Sequence, residues 1–154
     1  MHRTQNPTAP AADTADQSVV TPADILRGAA RYLDQHGWHR TAYYGGAEDN
    51  PFPPADVIGA IAMAAYGKRH DDDIYTPHAP AADIRAFRRA VDTFCDYLGR
   101  YEPMCRLTGD EDVDLDLELS PFIWNDDPQR TALHVTLALL HAAKDWDRSH
   151  GGAR

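Results

Sequence analysis

Asp112-Val113-Asp114-Leu115-Asp116-Leu117-Glu118-Leu119 is the stretch whose residue types most suggest chemistry. Carboxylates alternate with aliphatic side chains, and a period of two belongs to a strand or extended segment. Its acidic side chains would share one face at about 7 Å intervals. Oxygen-rich faces of that kind suit Ca²⁺ or Mg²⁺. The pattern is not an EF-hand, because aliphatic residues fill the intervening positions and the turn glycine is missing. The competing reading is a solvated edge whose charges prevent edge-to-edge pairing.

The eight histidines form no metal signature. His36-x-x-His39 straddles Gly37, which breaks helical ligand spacing. His134 and His141 would stand about 10 Å apart along a helix, too far to share one ion. His70 beside Asp71 and Asp73 could hold a divalent cation, and with Asp114 and Asp116 these are the candidate ligands. No other cofactor is expected. Of the two cysteines, Cys95 falls on the apolar stripe of a helix and reads as a small core residue, and two cysteines make no disulfide framework. The sequence has no Ser-His-Asp elbow, phosphate-binding glycine loop, dinucleotide fingerprint or HExxH helix.

A second set of candidates would bind rather than react. Trp38, Tyr43, Tyr44 and Phe52 lie in a stretch broken by Gly45-Gly46, Asn50-Pro51 and Pro53-Pro54, which reads as a long loop. Its aromatics either cover one end of a core or line a pocket. Trp124-Asn125-Asp126 precedes Asp127-Pro128, with Trp124 as a core anchor and one of the acids or Asn125 as a helix cap.

Four main helices must position these groups. The first starts at Thr21-Pro22 with Asp24 in its first turn, carries Ile25, Leu26, Ala29, Leu33 and His36 on one face, and ends at Gly37. The second opens at Pro54, with Asp56 in its first turn. It runs apolar on every face from Val57 to Tyr66, as a buried helix does, and stops at Gly67. The third spans about 81–101, with Ile84, Phe87, Val91, Phe94, Cys95, Leu98 and Tyr101 recurring at three and four. The last takes Asp127 as cap and Pro128 as first residue. Ala132, Val135, Leu139, Ala142, Ala143 and Trp146 form its buried face, which Leu133, Leu137 and Leu140 widen. Residues 1–20 read as a disordered tail, 21–148 as one helical domain and 149–154 as a frayed end.

The net charge is −9. A surface of that sign repels nucleic acid and anionic lipid. Arg85, Arg88 and Arg89 cluster, but Asp83 and Asp92 dilute them into a solvated face. No apolar run approaches the roughly 20 residues of a membrane span, and no signal-peptide stretch is visible.

Thr21-Pro22-Ala23-Asp24-Ile25-Leu26 opening a helix, Val57-Ile58-Gly59-Ala60-Ile61 in mid-chain, and Trp124-Asn125-Asp126 followed by Arg130-Thr131 together carry a family likeness. Over about 21–146 the chain resembles an uncharacterised family of small actinobacterial and actinophage proteins, a domain of unknown function. The resemblance implies an all-α fold and a bacterial setting, and it transfers no activity. That family often has a Cys immediately before the Gly-Ala helix. Asp56 stands there in this chain, so a role for such a thiol does not carry over.

The expected fold is an all-α bundle of four main helices with a long aromatic loop and one short acidic extended segment. The leading expectation for function is a non-enzymatic, cytoplasmic protein-binding or regulatory module, using Trp38, Tyr43, Tyr44, Trp124, Asn125 and Asp126. Its partner would be an unidentified protein, with homo-oligomers allowed and neither nucleic acid nor membrane expected. The alternative is a metal-dependent enzyme or cation-binding protein, its site assembled from the aromatic loop, the His70–Asp73 connector and the Trp124–Asp127 segment. A third reading makes the Asp112–Glu118 face an acidic mimic of nucleic acid.

Overall fold

The computed structural model describes residues 19–70, 73–101 and 121–151. The acidic alternation at 112–119 lies outside these residues, as do 1–18 and 152–154 of the two expected tails and Asp71, Asp114 and Asp116, whereas Ser149 and His150 of the expected frayed end belong to the last helix.

Among the described residues five helices follow in order: α1 Pro22–His36, α2 Val57–Tyr66, α3 Ala81–Tyr101, α4 Pro121–Asp126 and α5 Ala132–His150. Among the described residues there is no strand longer than an isolated bridge. The expected all-α bundle is the fold found.

Helix α1 begins with a reciprocal cap. The Asp24 amide donates to Thr21 Oγ1 at 3.2 Å, and the Thr21 amide donates to Asp24 Oδ2 at 3.0 Å. Its buried side, Ile25, Leu26, Ala29, Ala30 and Leu33, packs most extensively on α5 and then on α2. Gly28 lets α1 and α2 approach closely, since a Cβ there would stand 3.1 Å from the Ala64 methyl group. Residues Val57 to Met63 of α2 are all buried, as an all-round apolar helix requires. The helix stops at Gly67, whose φ of +70° favours a residue without a Cβ. Helix α3 buries Phe87, Ala90, Val91, Phe94 and Leu98.

Three local expectations are corrected. Asp56 is not in the first turn of α2 but is its N-cap, with the Gly59 amide donating to Asp56 Oδ1 at 2.6 Å. The Asp127-Pro128 pair does not start the last helix. The Arg130 amide donates to the Asp127 carbonyl at 2.9 Å and the Gln129 amide to Asp127 Oδ1 at 2.9 Å. That is a tight turn with Asp first and Pro second, a pairing that suits a turn as well as a cap. Thr131 caps α5 instead, and Trp124-Asn125-Asp126 forms the end of the short α4. Third, Leu133, Leu137 and Leu140 do not widen the buried face of α5. They are 65%, 40% and 39% exposed, while Val135, Ala138, Leu139, Ala142 and Ala143 face the core.

Among the described residues, no helix is long and apolar enough to cross a membrane.

Candidate functional site

The chain between α1 and α2 is irregular but pinned. The His39 amide donates to the Ala55 carbonyl at 2.8 Å, the Ala55 amide to the Gly37 carbonyl at 3.1 Å, and the Gly45 amide to the Pro54 carbonyl at 2.8 Å. These bonds fold the loop back on the residues that enter α2. The Asp56 amide donates to the Tyr43 carbonyl at 3.0 Å. That carbonyl passes so close to α2 that a Cβ on Gly59 would stand 2.1 Å from it, so only glycine fits.

The buried side chain of Asn125 joins this loop to α4. Its Oδ1 accepts from Trp38 Nε1 at 2.7 Å and from the Val57 amide at 3.1 Å. Its Nδ2 donates to the His39 carbonyl at 3.2 Å and to Asp126 Oδ1 at 3.0 Å. Four bonds saturate a carboxamide. Asp126 Oδ1 also accepts from the Thr41 amide at 2.9 Å. Thr41 has φ +68°, rare for a β-branched residue, and that bond helps hold it there.

Two cation–aromatic stacks close the junction. The Arg40 guanidinium lies 4.6 Å from the Trp38 ring centre and donates to the carbonyls of Pro128 and Arg130. The Arg130 guanidinium lies 4.1 Å from the Trp124 ring centre, and Phe94 meets the same indole edge-on at 5.6 Å. Tyr43 packs edge-on against Phe122 at 6.0 Å.

The structure thus brings together Trp38, Tyr43, Trp124, Asn125 and Asp126, five of the six expected binding residues. Tyr44 packs on the other side of the loop, under the Arg69 guanidinium. Trp124 and Asn125 are buried, and Trp38, Tyr43, Tyr44 and Asp126 are half-buried. The group is therefore a structural junction whose outer rim alone reaches solvent.

Asp56 was missed as a special group. It is fully buried, and its Oδ2 has no hydrogen-bond partner among the described residues. Burial pushes its carboxyl up to about 7 against the opposing bond from Gly59, and the nearby Asp126 charge pushes the same way. An Asp immediately before an all-apolar helix is a cap signal that could have located it.

Of the candidate cation ligands, Asp73 closes a turn, accepting from the Tyr75 amide at 2.9 Å and from Thr76 Oγ1 at 2.6 Å. His70 lies edge-on to Tyr66 at 5.0 Å. Among the described residues no group of three or more His, Cys, Asp or Glu side chains could hold a metal ion. The aromatic loop touches α4 through Asn125, and Arg69, which precedes the His70–Asp73 connector, donates to the Ala47 carbonyl at 3.2 Å.

A cavity of about 420 Å³ opens elsewhere, between the C-terminal halves of α3 and α5. Tyr97, Tyr101, His141, Lys144, Asp145 and Arg148 line it. Asp145 is buried there and is held by Arg100 at 2.9 Å, Arg148 at 3.2 Å and the Tyr101 hydroxyl at 3.2 Å. The exposed leucines of α5 continue from this end of the helix toward its start.

A family model described as a family of unknown function (DUF6197) matches residues 17–145. No curated protein matches the chain, and no solved structure does.

Proposed function

We propose that this chain, which belongs to the DUF6197 family of unknown function, is a protein-binding module whose contact surface is the outer face of α5. One observation carries the reading. Leu133, Leu137 and Leu140 recur at i, i+4 and i+7 and stand open to solvent along one side of a helix whose other side is core. Ile123 on α4 is a further exposed aliphatic residue, 44% open. Single exposed leucines are ordinary, but a row at helical spacing is how an amphipathic helix presents anchors to a partner. The Trp38–Asn125 junction fixes α4, and Arg40 holds the turn that leads into α5.

The test is a comparative capture from native lysate. Wild-type bait, Leu137→Glu and a control at an exposed position of α3, Arg85→Glu, are compared after circular dichroism has shown equal helicity. A protein retained by wild type and Arg85→Glu but lost from Leu137→Glu is the expected result. Identical recoveries from all three baits would remove the reading.

A further inference from the structure

The outer face of α5 also has a chemical polarity, and from it we infer the class of partner: an acidic amphipathic segment, with apolar anchors for the leucine half and carboxylates for the other half. The inference rests on the reading of α5 as the contact surface. Along the outer face of the helix the exposed side chains include Leu133, His134, Leu137, Leu140, His141, Lys144 and Arg148. None is acidic, in a chain of net charge −9. The two aspartates of this stretch already have cationic partners. Asp145 is buried beneath Arg100, Arg148 and Tyr101, and half-buried Asp147 pairs with Arg27 of α1.

Distances along the helix suit one continuous ligand. Leu133 to Leu140 covers about 10 Å and Leu140 to Arg148 about 12 Å at 1.5 Å per residue. The basic half is preorganised. Asp145 anchors the Arg100 and Arg148 guanidinium groups, yet both side chains stay exposed and keep further donors for a second carboxylate. Lys144 makes no ion pair among the described residues, and it lines the cavity beside Tyr97 and Tyr101. Phosphate chains would satisfy the basic half but leave the leucines facing water, so a peptide with both characters fits the whole face better.

Fluorescence anisotropy on the full chain tests this with three labelled synthetic helices. One carries leucines at i, i+4 and i+7 followed by glutamates, one has lysines for the glutamates, and one has serines for the leucines. The first alone should bind, with affinity about tenfold lower for Lys144→Glu with Arg148→Glu and lower again at high salt. Equal binding of the lysine helix, or no effect of the two charge reversals, overturns the partner chemistry while leaving the surface reading to the Leu137→Glu capture. No binding by any helix overturns it too. A dimer in sedimentation that Leu137→Glu dissociates assigns the face to a second copy instead. More than tenfold tighter peptide binding after Asp112, Asp114 and Asp116 are replaced by Asn assigns it to the chain's own acidic stretch.

Discussion

Trp38 Nε1 donates to Asn125 Oδ1 at 2.7 Å, joining the loop after α1 to the short helix before α5 across 87 residues of sequence. The same oxygen accepts from the Val57 amide, so one carboxamide ties three segments together. Asn125→Ala would leave the indole N–H, the Val57 amide and the His39 carbonyl without their partner. Each buried orphan costs about 1–3 kcal/mol, so the variant should lose about 3 kcal/mol or more. A urea titration followed by circular dichroism measures it. A loss under about 1 kcal/mol would mean that water replaces the carboxamide and the junction is not the lock described here.

Asp56 gives a pH dependence of definite sign. Its carboxyl titrates near 7 in the folded chain against an unfolded value near 4. The folded state therefore holds a proton that the unfolded state has lost between those values. The contribution of Asp56 to stability is fully present below about pH 4, is lost as pH rises to about 7, and is flat above. The slope of that limb is about 1.4 kcal/mol per pH unit. Asp24 acts in the opposite direction, since its bonds to Thr21 hold its carboxyl below the usual value, so its contribution is present above about pH 4 and fades in acid. Asp56→Asn keeps a capping oxygen without the charge. The wild-type-minus-variant difference, measured by denaturation from pH 4 to 8, should fall with pH and level off near 7. A difference that does not change over that range would show that Asp56 is ionised throughout.

The two glycines of the α1–α2 region should respond in contrasting ways. Gly59→Ala drives a methyl group to 2.1 Å from the Tyr43 carbonyl oxygen, and backbone cannot yield as a side chain can. A loss of about 3 kcal/mol or more is expected, with the loop displaced. Gly28→Ala meets the Ala64 methyl group at 3.1 Å, a contact that a small shift relieves. There the roughly 1 kcal/mol gain in helix propensity offsets the crowding, so the change should be near zero. Thermal melts of both variants decide the matter. Equal effects would show that the loop does not approach α2 as described.

Local signals account for what could be read in advance. Thr21-Pro22-Ala23-Asp24 is a complete helix start, and α2 and α3 have one unbroken pattern each, so the extent of α3 and the end of α2 follow from spacing, while α2 starts three residues later than the expected opening at Pro54. Helix α4 has six residues, too few to display a 3.6-residue period. Asp127-Pro128 satisfies both a cap and a turn, and long-range bonds from Arg40 to the Pro128 and Arg130 carbonyls accompany the turn. Helix α5 carries two apolar stripes, and spacing alone does not say which one α1 will cover. The aromatic loop and Trp124-Asn125-Asp126 were each visible as candidates. Their meeting through one carboxamide is a tertiary fact with no local trace.

Cys95 separates a core thiol from a reactive one. It is half-buried on α3, and burial pushes its thiol up to about 11, with the charges of Asp92 and Asp96 adding to the shift. Two units above its ordinary value of 9.0 means about a hundredfold less thiolate at a given pH, and thiolate is the form that alkylates. In a Cys105→Ser background, iodoacetamide at pH 8 should therefore label folded protein about a hundredfold more slowly than urea-unfolded protein, before any further slowing from restricted access. The rate should rise about tenfold per pH unit up to about pH 11. Mass spectrometry over a time course measures both. Labelling as fast as in the unfolded chain would show that burial does not hold the thiol up, and labelling faster still would show a thiol activated by its surroundings, which would place Cys95 among the chemical candidates rather than with the packing of α3.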